Sequence, residues 1–161
     1  MRTIHWLFGI SAALFIAGIG FVVAAARTTR TADVEPGPAL TPVATVQQLM
    51  NGMMQPAAEV VFSAVMTDVT AAGVTEIQPR TDEEWARVGT SAATLAESGN
   101  LLMLGDRAVD RGDWIVMSQA LVKASTAVMA AVAAKDPDKV LMMGSELNTT
   151  CDNCHQRYQR Q

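Results

Sequence analysis

"TDEEWARVGTSAATLAESGNLL" (residues 81–102) is the stretch that decides how this chain folds. Thr81 followed three residues later by Glu84 is a capping-box signature for a helix start. Apolar or small residues then recur at Trp85, Val88, Ala92, Leu95, Gly99 and Leu102, in alternating steps of three and four. That period lays one narrow stripe along one face of a helix predicted over about 82–105.

The same pattern repeats on both sides. Residues 113–135 carry the stripe as Trp114, Met117, Leu121, Ala124, Val128 and Ala131, and 137–159 carry it as Val140, Gly144, Leu147, Cys151, Cys154 and Tyr158. Asp136 followed by Pro137 marks the start of the last helix. Upstream, 43–71 reads as a first helix with Thr41–Pro42 at its start and a kink at Pro56, whose ring displaces the carbonyl of Gly52. "AGVTEIQPR" (72–80) and "GDRAVDRGD" (105–113) break the pattern. Four helices with narrow stripes and mostly short connections predict an all-α, antiparallel four-helix bundle over 43–161. Trp85 and Trp114 open their stripes and read as core anchors. The small residues Ala92, Gly99, Ala124 and Gly144 let helices approach closely, or leave room for something bulky between them.

Composition agrees. Half of the 161 residues are apolar but only 5% are aromatic, with helix-forming Ala and Met abundant and β-branched runs of strand type few. The net charge of −4 is mild and dispersed, which excludes the clustered basic face of a nucleic-acid binder.

No Asp, Glu, Lys or Arg interrupts residues 3–26. A charge-free run of that length spans a bilayer core. It reads as a membrane anchor within an N-terminal segment of residues 1–26, lipid-embedded through 4–26, or as a signal peptide cleaved near Ala26. Residues 27–42, rich in Thr and Pro, read as a tether. Either way the domain is expected to be exported, on the periplasmic side of a bacterial inner membrane or soluble in the periplasm.

Both cysteines and one of the two histidines fall in "CDNCH" (151–155). Cys151, Cys154 and His155 stand at i, i+3 and i+4, so a helix projects them from one face. C-x-x-C-H is the attachment sequence of c-type haem. Each thiol adds to one vinyl group of the porphyrin, and the neighbouring imidazole reaches the iron as proximal ligand. The competing chemistries fit poorly. A redox C-x-x-C belongs at a helix N-terminus, where the dipole lowers a thiol pKa. A zinc site needs about four ligands. A disulfide across one helical turn constrains almost nothing.

The other histidine, His5, lies in the N-terminal apolar segment, so the opposite side of the iron falls to a methionine, to a lysine or to nothing. Met50, Met53 and Met54 cluster just before Pro56. Each is individually an ordinary packing residue, and together they supply candidate distal ligands.

At these residues the chain resembles the class II c-type cytochromes, that is, cytochrome c′ and its low-spin, Met-ligated relatives. The resemblance covers 43–161 and rests on "CDNCHQRY" near the end of a helical domain. It implies thioether attachment at Cys151 and Cys154 and His155 as proximal ligand. It also implies Met50, in "VQQLMNGMMQP", as the distal ligand, with Met53 and Met54 as runners-up. Tyr158 matches the aromatic usual three positions after the haem histidine. Family members that dimerise do so through their first two helices, which makes a homodimer an expectation. Arg157 and Arg160 are candidates for neutralising haem propionates, although arginines also suit a helix C-terminus.

The expected function is electron transport by one covalent haem c, with no enzymatic activity and with redox proteins of a respiratory or photosynthetic chain as partners. The alternative is a five-coordinate haem protein that binds NO or CO. A thiol–disulfide enzyme is the third reading, disfavoured by the place of the motif.

Overall fold

A computed structural model describes residues 2–28 and 40–159. The chain divides into two units, Met1–Ala39 and Leu40–Gln161. Most of the 27–42 tether lies outside the described residues.

The first unit holds α1, Arg2–Thr28. Its 27 residues give a length of about 40 Å at 1.5 Å per residue. Trp6, Leu14, Phe15, Phe21 and Val22 are all exposed on it.

The second unit begins its helices with α2, Val46–Leu49. Thr45 and Gln48 cap this start reciprocally: Gln48 N donates to Thr45 Oγ1 at 3.1 Å and Thr45 N to Gln48 Oε1 at 2.9 Å. The helix therefore starts later than Thr41–Pro42 predicts, where the side chains can satisfy the free amides. Next comes one wide, π-helical turn, Met50–Met54, and then α3, Gln55–Phe62. Gln55 N donates to the carbonyl of Met50, five residues back. Proline cannot donate, so the chain accommodates Pro56 by widening the turn before it.

The predicted first helix, 43–71, is too long. It stops at Phe62, where Ser63 donates both its amide and its hydroxyl to the carbonyl of Glu59, at 3.1 and 2.6 Å. A hairpin follows, with β1 at Met66–Thr70 and β2 at Gly73–Ile77. The strands pair antiparallel, with Val69 opposite Val74 and Met66 opposite Ile77. Thr67, Val69, Val74, Thr75 and Ile77 suit a pleated ribbon better than a helix. Gly73, at φ +135°, supplies the turn conformation that an L side chain resists. Every residue of both strands is exposed, so no core contact pulls the segment into the helix.

α4 spans Asp82–Leu102, capped by Thr81 and Glu84 as the sequence predicts. Its whole stripe from Trp85 to Leu102 is buried. α5 spans Asp113–Ala133 and α6 spans Pro137–Tyr158. Between them, the amides of Lys135 and Asp136 turn back to the carbonyls of Val132 and Ala131 at 2.9 and 3.2 Å, a Schellman stop. The α5 stripe is rotated from the predicted one: Ser118 and Ser125 are buried where Met117 and Ala124 were expected.

The domain is thus mostly helical, with one small hairpin. Contacts run α3 to α4, α4 to α5, α5 to α6, and from α6 back to α3. Two of the small stripe residues do different jobs. A Cβ at Gly99 would meet the Ser118 carbonyl at 3.0 Å and Val122 Cγ2 at 2.6 Å, so glycine sets the α4–α5 approach. Gly144 is buried, yet a Cβ there would touch nothing within 4 Å. Among the described residues, α5 is the one helix long and apolar enough to span a membrane, but Trp114, Leu121 and Val128 bury its face in the domain. In α1 the apolar stretch among described side chains is Ile10–Val23.

Candidate haem-binding site

α6 carries the motif in its last two turns. Its fully buried residues, Val140, Gly144 and Leu147, all precede the motif. Cys151, Cys154 and Tyr158 are half-buried, and His155 is exposed on the same face. Beside them lies a cavity of about 890 Å³, within the size range of cofactor pockets.

The walls of this cavity bring the sequence candidates together. α6 contributes Cys151, Cys154 and His155, while the wide turn before Pro56 contributes Met50 and Met54. Leu95 and Leu102 of α4 and Trp114, Met117 and Leu121 of α5 supply apolar surface. Met53 does not line the cavity. It is half-buried and packs against the core, as a space-filling methionine does. Met54 is buried and Met50 half-buried.

The two sulfurs are not bonded to each other. Burial is the main cause that pushes both thiols up from their ordinary pKa, with the neighbouring Asp152 carboxylate adding to it at Cys151. A protonated thiol at neutral pH is the opposite of what disulfide exchange needs. Among the described residues, no group of three His, Cys, Asp or Glu side chains is disposed to hold a bare metal ion. A haem iron makes no such demand, since the porphyrin fills four of its positions. Two thiols and an imidazole on one helix face, with a thioether and apolar walls around the same cavity, are a donor set that fits a covalent haem.

The end of α6 is held by a polar cluster that the sequence did not reveal. The Tyr158 hydroxyl donates to Asp110 Oδ2, and the Tyr158 ring meets Trp114 edge-on, with centroids 5.0 Å apart at 76°. Asp110 Oδ1 accepts from the amides of Gly112 and Trp114 at 2.8 and 3.1 Å, capping α5. The Asp-x-Gly spacing at 110–112 is the one local signal that could have pointed to such a turn. Arg157 pairs with Asp113 at 2.7 Å and lies over the Tyr158 ring, 5.5 Å from its centroid. Its side chain is not among those that line the cavity. Arg160 lies outside the described residues. Arg107 is buried and donates to the carbonyls of Ala44 and Leu101 at 2.9 and 3.2 Å, fastening the start of the domain to the end of α4.

Compared with known proteins, the chain matches no family model, no curated protein and no solved structure.

Proposed function

We propose that residues 43–161 form an antiparallel four-helix bundle that carries one covalent haem c and transfers electrons. The observation behind this reading is that Cys151, Cys154, His155, Met50 and Met54, from two separate helical segments, line one cavity. When bound, haem supplies a one-electron iron couple.

The chain's residues would divide the work as follows. Cys151 and Cys154 hold the ring through thioether bonds. His155 offers its nitrogen to the iron as proximal ligand. Met50 offers a thioether sulfur from the facing segment, with Met54 next in line. A Met ligand favours the reduced state and raises the potential. Leu95, Leu102, Leu121 and Trp114 exclude water from the site, which limits reorganisation when charge changes. The N-terminal helix would anchor the domain to the periplasmic face of a membrane, and residues 27–42 would let it reach membrane-bound donors and acceptors at high local concentration. This role has no enzymatic step.

Optical spectra of the purified protein, oxidised, reduced and reduced with CO, test the reading. A covalently retained haem with a low-spin ferrous spectrum is expected. A high-spin ferrous spectrum that shifts readily with CO would instead make the protein a gas binder. Loss of all haem on denaturation would remove both functions.

A further inference from the structure

The two turns of α6 that carry the motif bury no side chain fully, because the buried residues of that helix end at Leu147. What holds its end is polar. Asp110 serves two helices at once: Oδ1 caps the start of α5, and Oδ2 accepts the Tyr158 hydroxyl three residues beyond His155. The last main-chain bond of the helix, Gln159 N to His155 O at 2.9 Å, closes the turn that contains both Tyr158 and the histidine. Trp114, whose amide Asp110 caps, forms cavity wall and bears on the Tyr158 ring.

We propose that Asp110, acting through Tyr158, is a positioning residue for His155, fixing the proximal imidazole by clamping the last turn of α6 to the first turn of α5. The inference rests on the haem-binding function proposed above. Arg157 and Asp113 join the same two turns at 2.7 Å, but both are exposed and such a pair contributes little, so the part-buried Tyr158–Asp110 bond is the main clamp. A helix end that loses it frays, and fraying at Tyr158 would free the imidazole to rotate.

The full-length haem-loaded protein, solubilised in detergent, provides the test, with Tyr158→Phe, Asp110→Asn and the double variant. Tyr158→Phe keeps the ring against Trp114 and removes only the hydroxyl. Asp110→Asn keeps an oxygen for the α5 cap and removes the carboxylate. Hydrogen exchange at the amides of 157–159 should accelerate about fivefold in each single variant, with no further change in the double. The paramagnetically shifted His155 proton resonances of the oxidised haem and the reduction potential should shift in parallel, while exchange in α4 stays unchanged. Haem retained in every variant with unaltered His155 resonances would overturn the positioning role and leave the haem function standing. Additive effects of the two substitutions would overturn it too. An unaltered protein that holds no covalent haem would overturn the function and this inference together.

Discussion

Trp114 donates its indole N–H to the main-chain carbonyl of Leu102 at 2.8 Å. Leu102 is the last residue of α4, so the bond satisfies a carbonyl that the helix leaves unpaired. It also joins the end of α4 to the start of α5 and fixes the indole on the cavity wall. Trp114→Phe should destabilise the domain by about 1–3 kcal/mol, because a buried acceptor loses its donor. Chemical denaturation would measure this, and a change below about 0.5 kcal/mol would mean that water replaces the indole.

The methionines separate by position. Met50→Ala should turn a low-spin spectrum high-spin while costing little stability. Met54→Ala should keep the low-spin spectrum but cost about 2–5 kcal/mol, since Met54 is buried in the core. Met53→Ala should leave the spectrum unchanged. A spectrum that responds to Met54 rather than Met50 would move the ligand one helical turn along the same segment.

The thiols make a pH prediction for the haem-free chain. Burial raises both pKa values, so the folded state holds these protons to higher pH than the unfolded chain does. Stability from this source is complete below about pH 8.5 and is lost as pH rises through the folded values. Iodoacetamide should therefore modify Cys151 and Cys154 more slowly at pH 7.5 than it modifies a cysteine peptide, with the rate still climbing beyond the pH at which the peptide levels off. Equal rates at neutral pH would show the thiols to be open to solvent.

The hairpin should be dispensable for folding. All ten residues of β1 and β2 are exposed. Replacing 66–77 by a short Gly/Ser connection should change stability by less than about 1 kcal/mol and leave the haem spectrum unaltered. A larger loss would reveal contacts made by the hairpin with the rest of the domain.

Sequence periodicity read the start and the buried stripe of α4 correctly, because an apolar stripe at helical spacing with a capping box is specified within one segment, but it carried the helix to about 105, past its end at Leu102. It failed where local signals compete. Residues 66–77 contain both helix formers and β-branched residues, and nothing in the segment says that no helix face awaits it. On α5, serines took buried positions because neighbouring helices, not polarity, fixed the rotation of the helix. Met50, Met53 and Met54 could not be ranked from spacing, since a wide turn changes which of them share a face.

The sequence by itself determined that Cys151, Cys154 and His155 share one face, because i, i+3, i+4 spacing puts three groups on one helical face wherever that helix packs. Tertiary structure alone decided what those groups meet. It brought Met50 and Met54 to the same cavity, turned Met53 away, gave Arg157 to Asp113, and tied Tyr158 to Asp110 across 48 residues of chain. Contacts at that separation depend on how helices pack against one another, and no local pattern encodes them.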